Sequence, residues 1–178
     1  FEISVPGEVA VAFARRLLDD GRVAPIGLGA RDSLRLEAGL CLYGHDIDTT
    51  TSPAEAGLGW AIQKVRRRGG ARAGGFPGAD RILAELEEGP ARLRVGLLPE
   101  GRAPIRDGTL LYETETAEAP AGRVTSGGFG PTVGAPVAMG YVPAPLAEPG
   151  TRLFADRRGK RLPVAVARLP FTRPTYKR

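Results

Sequence analysis

The chain has 178 residues, enough for one large domain or two small ones, and its 42% hydrophobic and 25% charged residues are typical of globular proteins. The formal net charge is +5, and arginine supplies nearly all of the positive charge. No apolar run approaches the roughly 20 residues of a membrane helix, and the basic runs lack the interleaved aromatic residues of a nucleic-acid surface. We therefore expect neither a membrane nor a nucleic-acid partner.

Before residue 90, the sequence predicts mainly helices joined by turns rich in glycine and proline. Apolar residues recur at helical spacing, and glycine or proline stands where a helix would begin or end. In chain order, the predicted elements are a strand at 2–5, helices at 8–20 and 30–38, a capped turn at 52–55, a strand at 58–62, a loop at 69–78 and a helix at 79–88.

After residue 90, short β-rich runs alternate with glycine and proline turns. Such regular short strands predict a small all-β barrel or a sandwich. The predicted strands lie at 93–98, 109–114, 122–126, 137–142, 152–155 and 163–168, with a hairpin tip at 156–160. We therefore predict two regions, 1–90 and 91–178, and an α+β fold class.

Cysteine and histidine occur once each, at Cys41 and His45. One cysteine cannot form an internal disulfide, which fits a reducing compartment. A zinc site usually takes most of its ligands from these two residue types, and a cysteine nucleophile needs a histidine base. We expect no metal, and we interpret the acidic residues Asp46, Asp48 and Glu55 as capping groups of helices and turns.

One dense block carries the strongest functional signal. It reads Ala-Arg-Asp-Ser-Leu-Arg-Leu-Glu-Ala-Gly at 30–39 and Leu-Tyr-Gly-His-Asp-Ile at 42–47. This block resembles the signature of the glycine cleavage T-protein family, although His45 stands where the family more commonly has asparagine. Further segments similar to family landmarks follow in order, at 2–6, 55–60, 94–97, 124–127, 138–142 and 170–171.

The resemblance implies a fold and a reaction. The family has three domains around a folate channel, so residues 1–90 would be the C-terminal part of the folate-binding aminomethyltransferase region. Residues 91–178 would be the small antiparallel β-barrel that closes it. The implied enzyme takes a one-carbon unit from the aminomethyl-lipoyl H-protein, releases ammonia and passes the unit to tetrahydrofolate. Its expected location is the bacterial cytoplasm, or the mitochondrial matrix in a eukaryote.

The resemblance also implies three folate-binding residues. Glu2 would anchor the pterin, because a carboxylate can accept two hydrogen bonds from an amino group and a ring N–H that lie side by side. Arg31 would bind the carboxylate tail or orient the ring with its planar donor fork, and Tyr176 would supply a hydroxyl or an aromatic wall. In the ordinary alternative, Glu2 is an exposed strand residue, Arg31 pairs with Asp32, Glu37 or a helix end, and Tyr176 belongs to a frayed terminus.

The chain begins within a predicted strand and without methionine, so we expect it to be a fragment. The family's catalytic aspartate lies in the N-terminal half, and no residue here matches it, which predicts that these residues are inactive alone. Two alternatives remain open: a non-catalytic folate-binding or partner-docking homologue, and the folate domain of a dimethylglycine- or sarcosine-oxidising enzyme. The basic runs 66–68 and 157–161 are weaker candidates for steering the lipoyl carrier.

Overall fold

The computed structural model describes residues 3–173 and residue 175, and the chain forms two compact units, Phe1–Asp32 and Ser33–Arg178. Each unit is described by itself. The predicted division of the chain at residue 90 stays a prediction. None of the helices in the described part of the chain has the length and apolar character that crossing a bilayer requires.

The first unit contains helix α1 (Gly7–Leu18) and the first turns of helix α2 (Leu28–Glu37). Glu8 in the first turn of α1 and Arg15 and Arg16 in its last turn complement the helix dipole. Because α1 and α2 overlap the helices predicted at 8–20 and 30–38, these two predictions are confirmed. The predicted strand at 2–5 is wrong over its described residues, since 3–5 join no ladder and a β-branched run becomes a strand only when a neighbour pairs with it.

Helix α2 ends at a glycine that the turn requires. Gly39 has φ +65°, in the left-handed region that favours glycine. The Gly39 amide donates to the Leu36 carbonyl at 3.0 Å, and the Leu40 amide donates to the Arg35 carbonyl at 2.9 Å. A β-carbon on Gly39 would lie 3.0 Å from Cβ of Leu169, so this position excludes larger residues for a second reason.

Between α2 and the barrel, the second unit contains turns, two 3₁₀ helices (Gly59–Ala61 and Lys64–Arg66) and helix α3 (Ala79–Glu88). The helix predicted at 79–88 is confirmed. The strand predicted at 58–62 is wrong, because this segment forms a 3₁₀ turn. The Arg67 guanidinium donates to the carbonyls of Gly59 (2.7 Å) and Ile62 (3.0 Å), so these acceptors serve local bonds rather than a β-ladder.

Six antiparallel strands close into a barrel in the spatial order β1-β4-β3-β2-β5-β6. The strands are β1 (Arg92–Pro99), β2 (Leu110–Tyr112), β3 (Gly122–Gly130), β4 (Ala135–Pro143), β5 (Arg152–Arg157) and β6 (Lys160–Ala167). Closure decides between the two predicted β architectures in favour of the barrel. Each predicted strand overlaps an observed one, and the predicted hairpin tip joins β5 to β6.

The barrel interior is filled by aliphatic side chains that point inward from alternate strand positions. Leu97, Leu111, Val124, Leu153 and Val164 have no solvent exposure. Burying side chains of this size contributes about 1.5–3 kcal/mol each before entropy is counted. A smaller cluster beside the barrel joins Leu36 of α2 to Val137 and Met139 of β4, so the end of the signature helix packs directly on the barrel.

Candidate functional site

Of the three residues predicted to bind folate, the structure describes Arg31 alone. Arg31 is exposed on α2, in the first unit. Glu2 and Tyr176 lie outside the described residues. The convergence of the three on one ligand therefore stays a prediction, whereas the accessibility that Arg31 needs is present.

Asp46 is the most connected residue of the signature block, and it is only 1% exposed. One carboxylate oxygen accepts hydrogen bonds from Arg35 Nη1 at 2.6 Å, the Leu42 amide at 2.9 Å and the Ser126 hydroxyl at 2.8 Å. The other accepts the Thr125 hydroxyl at 2.6 Å. Asp46 is thus a buried ion-pair partner that links α2 and its following loop to β3, rather than mainly the capping group that the sequence indicated.

Glu37 is the second buried carboxylate of the block, at 2% exposure. Its Oε1 accepts the amides of Thr132 (2.7 Å) and Val133 (2.8 Å), and its Oε2 accepts the Thr132 hydroxyl at 2.9 Å. Its backbone carbonyl accepts the amides of Phe171 (2.9 Å) and Thr172 (3.2 Å). One residue therefore holds both the β3–β4 turn and the segment after β6 against the end of α2.

Glu55 forms a third network, with the capped turn that the sequence predicted. Its amide donates to the Ser52 hydroxyl at 3.0 Å, and its carboxylate accepts the Ser52 amide at 2.9 Å, which is the reciprocal pattern of a capping box. The same carboxylate pairs with Arg92 Nε at 2.9 Å and with Arg81 at 3.0 Å. This turn is thereby joined to both α3 and β1.

Burial opposes the charge on Glu55, but the hydrogen bonds from Arg92 and the Ser52 amide, with the positive charges of Arg92 and Arg81, outweigh it. The pKa of the Glu55 carboxyl is therefore held below its ordinary value. The hydrogen bond to Glu55 in turn raises the pKa of Arg92. The Arg92 guanidinium lies 4.8 Å from the centre of the Tyr141 ring, which is within the range of a cation–π interaction. This contact helps to orient the Arg92 side chain.

A polar cleft of about 300 Å³ lies beside the loop that contains Asp46. Its walls include Arg92, Arg123 and Tyr141 of the barrel. The Tyr141 hydroxyl donates to the Asp46 carbonyl at 2.8 Å, and burial raises the pKa of this tyrosine. At the rim, His45 Nδ1 lies 3.1 Å from an Asp107 carboxylate oxygen, which connects two loops.

Trp60 is a feature that the sequence prediction missed. Its side chain is 78% exposed at the 3₁₀ turn whose carbonyls Arg67 holds. An exposed tryptophan on a braced turn offers a flat apolar surface suited to stacking on a ring. The sequence analysis predicted a strand at 58–62 and therefore did not predict that Trp60 is exposed. No local pattern distinguishes this 3₁₀ turn from a strand, because the arginine that holds it lies seven residues further along the chain.

Within residues 3–173 and residue 175, no group of three or more His, Cys, Asp or Glu side chains is arranged to hold a metal ion. Every buried side-chain nitrogen and oxygen in the same part of the chain has a hydrogen-bond partner. The buried polar groups of the signature block are thus satisfied within the protein.

We expect Asp46→Asn to lower the free energy of unfolding by about 3–5 kcal/mol, because it removes the negative charge that lies 2.6 Å from the largely buried Arg35 guanidinium. Urea unfolding measures the change. The matched control is Asp48→Asn, which changes an exposed carboxylate two residues away and should cost much less. Equal effects of the two substitutions would show that the buried ion pair is unimportant for stability.

Glu55 should make stability depend on pH. Because its folded-state pKa is depressed, its contribution is present above the ordinary glutamate pKa of about 4.3 and is lost as pH falls through the folded value. We expect Glu55→Gln to cost about 1–3 kcal/mol at neutral pH and progressively less below about pH 4.3. The control Glu87→Gln removes an exposed ion pair with Arg68 and should cost under about 1 kcal/mol. A Glu55→Gln penalty that stayed constant in acid would contradict this assignment.

Comparison with known proteins places the chain in a family. Residues 92–172 match the model of the glycine cleavage T-protein C-terminal barrel domain, and residues 1–66 match the model described as the GCVT N-terminal domain. The first match covers all six strands of the barrel.

Individual relatives agree with these matches. The Schizosaccharomyces pombe protein named "Probable aminomethyltransferase, mitochondrial" is 51% identical over 176 residues, covering 99% of this chain and 43% of that protein. The Flaveria anomala protein named "Aminomethyltransferase, mitochondrial" is 49% identical over 178 residues, covering 99% of this chain and 42% of that protein.

A solved structure is similar as well. The crystal structure of glycine cleavage system aminomethyltransferase T from Bartonella henselae has a TM-score of 0.84 and 49% identity, covering 94% of this chain and 45% of that one. This chain therefore spans less than half the length of the relatives it matches. The two family models and the relatives together show that the chain belongs to the glycine cleavage T-protein family.

Proposed function

We propose that this chain contributes to an aminomethyltransferase that moves a one-carbon unit from an aminomethyl-lipoyl carrier, the H-protein, to tetrahydrofolate. The observation that supports this most strongly is the identity of about half over nearly the whole chain to proteins named aminomethyltransferases. Those names favour aminomethyl transfer over the dimethylglycine- or sarcosine-oxidising alternative. The names also say that those relatives are mitochondrial, whereas the compartment of this protein stays a prediction.

The proposed reaction needs the folate ring to be held and oriented beside the incoming carbon. The aminomethyl carbon loses its bonds to nitrogen and to the lipoyl sulfur, and gains bonds to two folate nitrogens. The two folate nitrogens each lose a proton as they bond to the carbon, and these two protons are balanced by those that complete ammonia and the lipoyl thiol. Positioning of this kind lowers the barrier because it removes the entropy cost of bringing the reactants together.

Three side chains are our candidates for this positioning within the sequence. Arg31 is exposed and offers a donor fork, either to the folate carboxylate tail or to the ring. Glu2 is proposed as the pterin anchor and Tyr176 as a hydroxyl donor or ring wall, both on the family resemblance. No metal has a role in this proposal, and tetrahydrofolate enters as the acceptor substrate.

We further propose that these 178 residues do not complete the reaction alone, because proton transfer to the leaving nitrogen needs a positioned acid that we do not identify among them. The test compares this chain with the protein expressed from its complete gene. Each is supplied with aminomethyl-lipoyl carrier and tetrahydrofolate, and ammonia and methylenetetrahydrofolate are measured.

The expected result is both products from the complete protein and neither from the chain alone. Products from the chain alone would overturn the proposed incompleteness. Folate binding by the complete protein without either product would instead support the non-catalytic folate-binding homologue. The absence of both binding and activity would overturn the proposed function.

Glu2→Ala tests the pterin anchor. Loss of a charge-assisted pair should weaken tetrahydrofolate binding by about 1.5–3 kcal/mol, measured by calorimetry on the complete protein. Glu8→Ala is the control, since it removes an exposed carboxylate from the start of α1. Unchanged affinity in Glu2→Ala, or an equal loss in Glu8→Ala, would exclude Glu2 as the anchor.

A further inference from the structure

The tip of the β5–β6 hairpin concentrates positive charge without neutralising it. Arg157, Arg158 and Lys160 are exposed and line an open depression of about 260 Å³ with Leu162 at its side. Within the described part of the chain, none of the three cations forms an ion pair or a side-chain hydrogen bond. We call these three cations and Leu162 the basic tip.

The nearby acid does not compensate the basic tip. Asp156 uses one carboxylate oxygen to accept the Gly159 amide at 2.9 Å and the other to accept Arg161 Nη1 at 3.0 Å. Arg161 itself is turned toward the barrel, where it lies over the Tyr112 ring and donates to the Ala117 carbonyl. Asp156 and Arg161 therefore brace the turn and leave the three outer cations unpaired.

Two features of the basic tip lower the stability of the folded chain. Arg157 and Lys160 are directly opposite each other in the strand register, and like charges in that position repel. Arg158 has φ +54°, in the left-handed region where asparagine or glycine is favoured in a two-residue hairpin turn. Local violations of this kind are expected mainly where function requires them.

We propose that the basic tip is the docking surface for an acidic face of the lipoyl carrier. The identity of this partner rests on the proposed function. A carrier that must bind and leave in every cycle suits an exposed charged contact, because such contacts speed association without locking the complex. An open rim of arginine and lysine around one apolar side chain also fits a protein surface better than a small anion, which is usually enclosed.

The experiment uses the complete protein and a variant with Arg157→Gln, Arg158→Asn and Lys160→Gln. Calorimetry with lipoylated carrier at rising salt should show an affinity about tenfold weaker than that of the unchanged protein and a shallower salt dependence. The matched control, Arg15→Gln with Arg16→Gln and Arg72→Gln, removes the same charge from exposed positions elsewhere and should bind nearly normally.

A single substitution separates binding from folding. Arg158→Asn places a residue suited to the left-handed conformation, so its Tm should equal or exceed that of the unchanged protein while carrier affinity falls. A lower Tm together with unchanged affinity would assign Arg158 a structural role and overturn its part in docking.

Other outcomes also decide the inference. Equal weakening by the tip variant and the control would attribute the effect to net charge and overturn the proposal. Loss of binding to heparin or inorganic phosphate without loss of carrier binding would assign the basic tip to another anion, with the same consequence.

At saturating carrier, the tip variant should keep kcat while the KM for carrier rises. An active protein whose carrier KM is unaffected by the variant would overturn the docking surface and leave the proposed function intact, whereas a protein without transfer activity would overturn the function itself.

Discussion

The buried pair between Arg35 and Asp46 is the interaction on which the arrangement of the second unit most depends. A carboxylate at 1% exposure is tolerable only because a guanidinium, an amide and two hydroxyls surround it. These donors come from α2, from the loop after it and from β3. The helix end, the loop and the barrel are therefore held together by the carboxylate of Asp46. If any of them shifted, this carboxylate would lose hydrogen-bond donors or become exposed to solvent.

The charged residues of the signature sequence differ in their burial and contacts. Arg35 pairs with Asp46 in the loop after α2, and Glu37 accepts hydrogen bonds from the β3–β4 turn of the barrel. Arg31, one helical turn earlier, stays exposed and available to a ligand. The same short helix thus anchors itself with its last turn and presents a guanidinium from its first. This division explains how a motif dense in charges can serve both stability and the proposed folate contact.

The contrast between interior and surface gives the basic tip its significance. Within the described residues, every buried side-chain polar atom is satisfied, so the protein does not tolerate unpaired groups where they are costly. The three cations of the basic tip are exposed, where unpaired charges are ordinary, and what distinguishes them is that they are clustered on one turn. The repulsion between Arg157 and Lys160 and the left-handed conformation of Arg158 are local costs that the closed barrel can absorb.

Local patterns in the sequence determined most of the elements, although the segment predicted as a strand at 58–62 is a 3₁₀ turn and residues 3–5 join no ladder. Helical periodicity and glycine stops predicted α1, α2 and α3, and short runs between turns predicted the six strands. The Ser52–Glu55 capping pattern was also local and was confirmed. Only the tertiary structure decided barrel over sandwich, because closure depends on which distant strands pair. It alone also assigned Asp46, whose hydroxyl donors Thr125 and Ser126 lie 79 and 80 residues away. A sequence window cannot distinguish such a buried partner from a turn cap, since both require a short acidic side chain.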